Sequence, residues 1–576
     1  MVHQKISGFI WTGLLVAILL GTGNPGEAIA SSSTRQVKPL KIGPIHRGFI
    51  KHSKSPSLAD DEGGSGSLDV DEDDDGGIVS IESYDGDDDD DEVDHEFLEM
   101  HDDSSDVSYA FRIMGQGKIH KPSKCCFGSQ EDPGCYGVAR IGDKIIPFEM
   151  PAADLRVGRT VFEGLTPGTD YEVQVGYLPG DILDDIDAVD LDWSQIDPFT
   201  IMTPPAKPGQ FASFVYGSCA RIGKIGPITL WQRKVRAILD AMQTNIATHE
   251  KSGIKTDAIL TLGDFPYMDA TGELTAAKTR NEMLKRVDLL YATEEAKRLL
   301  SKAPVHQMRD DHEWWNNSTA EIPAGRAARS DAARQIYDLF QRPDGAATET
   351  NYQIIEGNFE AFMCDTRSER YPSSKQFMSA DQMAALKTWI SDPARKDRIK
   401  PVFFSGPVLM LQEDDTFWEY PAQLLEFMSW IKEQDIKYLF FGTGDIHVGK
   451  TGLWQFEDDG PFILEDASSA LHKINHNKDA LLKDTFTLGE DEDKVSLRAV
   501  GGLSPTVTDD HYTRVILDHE THTVEIIKRN RHNHLLMDVV YNLEDGSYAN
   551  REFEEGITPK YSVTPILGGD KLEEDF

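Results

Sequence analysis

Four short apolar runs in this 576-residue chain each end in side chains able to ligate a metal ion. Phe214-Val215-Tyr216 leads into Gly217-Ser218-Cys219, and Ala258 to Leu262 into Gly263-Asp264-Phe265-Pro266-Tyr267. Val305 to Arg309 is followed by Asp310-Asp311-His312-Glu313, and Tyr438 to Phe441 by Gly442-Thr443-Gly444-Asp445-Ile446-His447. Taken singly, a Gly-Asp pair after a strand is a turn or helix cap, and a cysteine there is packing. Together they supply carboxylates, a phenol, a thiol and two imidazoles, a donor set suited to Fe, Mn, Zn or Ca. Asp264 is the natural bridging carboxylate. Asp445 and His447, two residues apart, are expected on the same side of an extended segment and hence on one metal centre.

For these groups to meet, their strands must share a layer. Strand ends in an α/β sheet open into one crevice, where side chains distant in sequence converge. The pattern after Phe211 fits: strand to Gly217, helix from Leu230 to Thr248, strand from Ala258 to Leu262, a long helical stretch from Thr275 to Leu300, strand from Val305 to Arg309, then further alternation to Phe441. Arg514 to Leu517 and Val524 to Lys528 read as a hairpin, and Leu535 to Tyr541 as a last strand. Before the Pro-rich linker at Thr203 to Gly209, alternating runs at Tyr109 to Ile113, Lys144 to Phe148, Thr160 to Phe162 and Tyr171 to Tyr177 predict a small β-sandwich. Within it, Gly164 to Val175 resembles the E to F corner of fibronectin type III domains, where a buried tyrosine anchors the turn.

Asp and Glu outnumber Lys and Arg by 98 to 58, a formal charge of -40, which excludes a general basic surface for nucleic acid. The excess is local: Asp60 to Asp106 holds 23 acidic residues and no Lys or Arg. Such runs repel themselves and bury little, so a disordered, solubilising spacer is expected. A plain run of carboxylates lacks the spacing and turn glycine of a calcium loop. At the start of the chain, Lys5, the run Phe9 to Leu20 and Ala28-Ile29-Ala30 have the form of a signal peptide cut after Ala30. The run is shorter than the roughly 20 residues of a spanning helix, so the expected product is soluble and secreted, periplasmic or lumenal. Cys125, Cys126 and Cys135 allow one bridge to Cys135, with its partner open. The chain thus divides into a signal peptide (1–30), a disordered acidic segment (31–106), a β-sandwich (107–204), a catalytic domain (205–545) and a tail (546–576).

The ordered set Ser218-Cys219, Gly263-Asp264-x-x-Tyr267, Asp310-Asp311-His312-Glu313, Asp365-x-Arg367-x-x-Arg370 and Gly444-Asp445-x-His447 resembles the alkaline phosphatase D family of calcineurin-like metallophosphatases, over roughly residues 107 to 545. The resemblance implies an α/β fold, a four-layer sandwich of two sheets flanked by helices, preceded by the small β-sandwich. It implies ferric iron with calcium, Mn and Zn being possible instead, and hydrolysis of phosphate mono- and diesters by metal-activated hydroxide. Cys219, Asp264, Tyr267 and His447 would hold the iron, with Asp311, Asp310 and Asp445 at the second cation. His312 would protonate or stabilise the leaving oxygen, and Arg367 would clamp the phosphate with two parallel donors.

Other readings accompany that one. A strict phosphodiesterase on phospholipid or polymer substrates, or a non-catalytic acidic calcium-binding secreted protein, is the alternative. Ala220, Pro266, Ile446 and the segment Ser405-Gly406-Pro407-Val408-Leu409 depart from the family pattern and are expected to line the mouth. Arg370 is expected to pair with Asp365 or Glu369, Trp314 and Trp315 to pack, and Asn316 and Asn317 either to cap a turn or to complete a calcium shell. Oligomeric state has no signature in the sequence.

Overall fold

The computed structural model describes residues 45–50, 95–103, 108–116, 135–150, 157–178 without 163, 198–203 and 209–550, the last with breaks at 226–227, 271, 273–275, 292, 301, 343–351, 357, 414, 458, 474–480 and 491–493. Its principal strands are β1 (Phe211–Ala220), β2 (Ala258–Leu262), β3 (Pro304–Met308), β4 (Phe359–Met363), β5 (Lys400–Phe403), β6 (Leu439–Thr443), β7 (Gly449–Phe456), β8 (Phe462–His472), β9 (His511–Asp518), β10 (Thr523–Asn530) and β11 (Leu535–Asn542). The helices are α1 (Gln232–Lys251), α2 (Arg280–Tyr291), α3 (Glu294–Leu300), α4 (Ala327–Phe340), α5 (Ala380–Ile390) and α6 (Pro421–Glu433).

Many of these strands are apolar on both faces, which requires cover on both sides. In β1, Phe214 and Tyr216 enter a central core while Val215 and Ala220 enter a second one under α1 to α4. β5 and β6 divide in the same way: Phe403 and Phe440 face the central core, Val402 and Phe441 a third core under α5 and α6. The order is therefore helices, strands, strands, helices, in a mixed α/β body with a many-stranded sheet. Val235, Ile238, Leu239, Met242 and Ile246 of α1 are buried at helical spacing, which fixes the face it turns to the core, where it runs against β8 and β9. In the central core, Phe214 packs edge-on to Phe403 with ring centroids 5.6 Å apart. Truncating Phe214 to alanine would cost about 3–5 kcal/mol.

Parallel pairing runs through β1, β2 and β3, and β9 lies antiparallel on the other side of β1, followed by β10 and β11. In the second set β4, β5, β6 and β8 are parallel, with β7 antiparallel on β8. The sets meet where the end of β8 pairs with β1, Ser469 opposite Ser218 and His472 opposite Ala220. All four predicted ligand clusters lie at or just beyond the C-terminal ends of β1, β2, β3 and β6.

Several expectations change. The long helical stretch is two helices, because Thr293 caps a new start, its Oγ1 accepting from Ala296 N–H at 3.3 Å. The strands continue past residue 545, since Tyr548–Asn550 pairs with β11. The segment 31–106 is not wholly without structure: Ile45–Ile50 and His95–Asp103 are paired strands, and Phe97, Leu98 and Met100 interrupt the carboxylates there. The remainder of that segment, residues 1–30 and Cys125 and Cys126 lie outside the described residues. The strands expected in the small sandwich lie in two sheets, the number a sandwich requires. Ser108–Gln116 and Val157–Phe162 pair with each other, whereas Cys135–Ile141, Lys144–Met150, Asp170–Leu178 and Phe199–Met202 form a separate four-stranded sheet. At the turn into Asp170–Leu178, Thr166 N–H donates to the half-buried Tyr171 hydroxyl at 2.8 Å.

Candidate metal centre

The chain turns sharply where each strand delivers its ligand. Cys219, Asp264, Asp445 and His447 have φ of 62, 58, 63 and 60°, a left-handed backbone that non-glycine residues seldom adopt and that clusters at functional sites. Two glycines let the strand ends close up. A Cβ on Gly263 would sit 2.3 Å from Asp310 Cβ, and one on Gly444 would sit 2.6 Å from Ser218 Oγ.

The result is one cluster. Donor atoms of Cys219, Asp264 and His447 lie within 4.8 Å of one another, as do those of Asp264, Asp310, Asp311 and Asp445, and those of Asp264, Asp311 and His312. Asp264 belongs to all three groups. The Tyr267 hydroxyl is 3.3 Å from His447 Nε2, and its ring centroid 4.1 Å from that of His312. Neighbouring hydroxyls fix the loops: Ser469 Oγ lies 3.1 Å from Cys219 Sγ and accepts from His447 N–H at 2.8 Å, and Ser218 Oγ accepts from Asp445 N–H at 3.3 Å. Every metal ligand proposed from sequence is in this cluster.

No family model matches the chain, and neither does any curated protein. Among solved structures, PhoD superposes with a TM-score of 0.59 at 14% identity, over 79% of this chain and 91% of its own. The chain has the fold of PhoD. A purple acid phosphatase isolated from yellow lupin seeds superposes with a TM-score of 0.45 at 10% identity, over 80% of this chain and 79% of its own.

On this PhoD fold the donor set can be tested for cations from its own chemistry. Asp310 Oδ2 and Asp311 Oδ1 are buried and have no hydrogen-bond partner among the described residues. Orphaned carboxylate oxygens are costly unless a cation meets them. Burial pushes Asp445 up to about 8 and holds Asp264 and the Cys219 thiol well above their ordinary ranges, with neighbouring carboxylates adding to each. Asp311 is lowered in spite of burial, by His312 and Arg367. So many buried acids converging with two unsatisfied oxygens fit a cation site.

His312 and Arg367 differ in their surroundings. His312 Nδ1 is 2.5 Å from Asp269 Oδ1, and Asp264 Oδ1 accepts the His312 backbone N–H at 3.1 Å. Burial lowers its pKa, but Asp311, Asp264 and Asp269 outweigh that and push it up to about 10. Arg367 is 1% exposed, and its Nε donates to Asp310 Oδ1 at 2.5 Å and its Nη1 to Asp415 Oδ1 at 2.6 Å. Nη2 lies 4.0 Å from both Asp311 and Asp445. Two of its five N–H donors are therefore engaged by protein carboxylates, and Nη2 makes no hydrogen bond to either ligand.

Further expectations are revised by contacts. Arg370 pairs with Asp415 at 2.6 Å rather than with Asp365 or Glu369. Asp445 and His447 reach the cluster through left-handed turns, not along an extended segment. Ala220 and Ile446 pack into the two helix-covered cores instead of lining a mouth. Trp314 and Trp315 pack as expected. Asn316 and Asn317 contribute backbone N–H groups, to Asp269 at 2.7 Å and Asp311 at 2.5 Å, while their side chains are exposed. Sequence reasoning missed Asp269 and Asp415. The former lies two residues beyond Tyr267 in the same loop, a signal that was present.

Proposed function

We propose that this protein is a secreted, metal-dependent phosphoesterase acting on phosphate monoesters and diesters. The observation that carries the reading is the convergence of three donor groups on Asp264, two of whose partners keep orphaned oxygens. Cys219, Tyr267, His447 and Asp264 would hold one cation, assigned as ferric iron, and Asp264, Asp310, Asp311 and Asp445 the other, assigned as calcium. When bound, such a pair supplies Lewis acidity toward phosphoryl oxygens and lowers the pKa of water near neutral pH.

The chain's own residues complete the site. Asp269 and the Tyr267 ring hold the His312 imidazole in one orientation, and the Nδ1 contact with Asp269, outside the proposed ligand set, favours the protonated state needed to give a proton to a leaving oxygen. That role is worth roughly 10²- to 10⁴-fold in rate. Arg367 braces Asp310 and Asp415, which keeps the carboxylate wall in place. The Lys5 to Ala30 pattern supports export, the acidic run a spacer, and the Tyr171 hydrogen bond a fibronectin-like module. Among the described residues no helix is long and apolar enough to cross a membrane.

The test is hydrolysis of p-nitrophenyl phosphate and its bis ester before and after chelation. Both are expected to be cleaved, with activity lost on chelation and restored by metal. Hydrolysis insensitive to chelator would defeat the assignment, and cleavage of the bis ester alone would narrow it to a phosphodiesterase.

A further inference from the structure

A phosphate ester brings negative oxygens to a site already rich in carboxylates, so a cation with free donors is needed beside the centre. Arg367 is tied to Asp310 and Asp415, and Arg221 to Ala270 O at 2.8 and 3.0 Å, with its guanidinium 4.0 Å over the Trp231 ring. Lys473 is different. The end of β8 runs beside the end of β1, with Ser469 opposite Ser218 and His472 opposite Ala220, the residues flanking Cys219. Arg221 N–H donates to His472 O at 3.3 Å, and Lys473 follows directly, so it leaves the strand at the wall that carries Cys219. Through Ser469, the same strand end also holds the His447 backbone.

Lys473 is partly buried and feels the charges of Cys219, Asp264 and Asp311, yet it makes no hydrogen bond or ion pair with any described residue. Burial first, and Arg221 second, pull its pKa below the ordinary lysine range, while those three groups pull it back up. An ammonium carries three donors, and those of Lys473, bonded to no described residue and not sealed in the interior, are open to an anion that reaches the centre. An anion seated at the centre would supply the acceptor. We infer that Lys473 is a substrate-binding residue whose ammonium contacts a non-bridging oxygen of the phosphoryl group, an inference that rests on the phosphoesterase reading above.

The experiment measures the affinity of the full-length, metal-loaded protein for inorganic phosphate by calorimetry, with KM for p-nitrophenyl phosphate alongside. The proteins compared are wild type, Lys473→Met, Lys473→Gln and Lys473→Arg, with metal content and melting temperature recorded for each. Losing one charge-assisted hydrogen bond should weaken phosphate binding roughly ten- to hundredfold in the Met and Gln variants and raise KM in parallel. The Arg variant should recover most of the loss, with metal content unchanged throughout. Unchanged phosphate affinity in an active Met or Gln variant would overturn the role of Lys473 and leave the phosphoesterase reading standing. Loss of metal together with phosphate binding would also overturn it, making Lys473 a support of the cation site. A metal-loaded wild type that neither binds phosphate nor hydrolyses the ester would remove both readings.

Discussion

Arg367 and Asp310 meet inside the protein, Nε to Oδ1 at 2.5 Å, with side-chain exposures of 1% and 0%. Asp310 follows β3 and Arg367 follows β4, so the pair ties the two strand sets together at the point where the ligands gather. Asp415 receives the other edge of the guanidinium and also Arg370. Arg367 is thus the centre of a buried ion-pair network.

Removing one member of such a network leaves a buried charge uncompensated, which costs about 3–5 kcal/mol. Arg367→Ala is expected to lose about that much unfolding free energy in chemical denaturation and to retain less metal. A variant of unchanged stability whose single defect is a raised KM would return the guanidinium to the substrate.

Asp264 lies in all three donor groups, and its Oδ1 also accepts the His312 N–H. Asp264→Ala should empty both cation positions together and lower turnover by more than about 100-fold, beyond what loss of an outer supporting contact brings. Elemental analysis alongside kinetics reads both effects. Retention of both metals would show that another residue bridges them.

The converging donor residues were legible in the sequence because each cluster is local: an apolar run ends and the donors follow, after a glycine in three of the four. The β-α alternation was legible for the same reason, since β1, β2 and β3 announce themselves by burial on both faces. Contacts across the fold were not. Asp415 ends the acidic run Glu413-Asp414-Asp415 in a loop, 48 residues from Arg367 in sequence, and nothing in that run marks it as the partner of two arginines. The Arg367 ion pairs were hidden for that reason: side-chain type suggested a phosphate, and only tertiary placement reveals the carboxylates beside it. The break between α2 and α3 rests on one threonine cap, which the continuous apolar spacing on either side obscures.

Glu465 gives a pH-dependent prediction away from the ligands. Its buried carboxylate accepts N–H bonds from Val408, Leu409 and Met410 at 2.6–3.2 Å. Burial nevertheless pushes it from 4.5 up to about 7. As pH rises the unfolded chain gives up this proton first, so the associated stability is full below about 4.5, declines in between and is gone above about 7. Glu465→Gln lacks this dependence. The stability difference between wild type and variant should therefore shift by roughly 3 kcal/mol between about pH 4.5 and 8, favouring wild type at the acid end. Urea denaturation at the two pH values measures it, and a constant difference would mean the carboxyl titrates in the ordinary range.

Lys528 and Asp466 form a second buried pair, Nζ to Oδ1 at 2.8 Å, both side chains 0% exposed. The ammonium also donates to Ala467 O at 2.8 Å and Thr513 Oγ1 at 3.3 Å, and the carboxylate accepts from Tyr216 and Thr451 hydroxyls, so neither ion is left with idle bonding capacity. The pair links β10 to β8, and β8 carries Ser469 to the ligand cluster. Lys528→Met is expected to cost about 3–5 kcal/mol because Asp466 stays buried without its counter-ion. Adding Asp466→Asn removes the stranded charge while its one carbonyl oxygen keeps an acceptor for one of the two hydroxyls, so the double variant should recover at least half of that loss. Guanidinium denaturation of wild type, both single variants and the double variant closes the cycle. If the two single losses simply add in the double variant, the ions stabilise the fold independently and the coupling between these strands lies elsewhere.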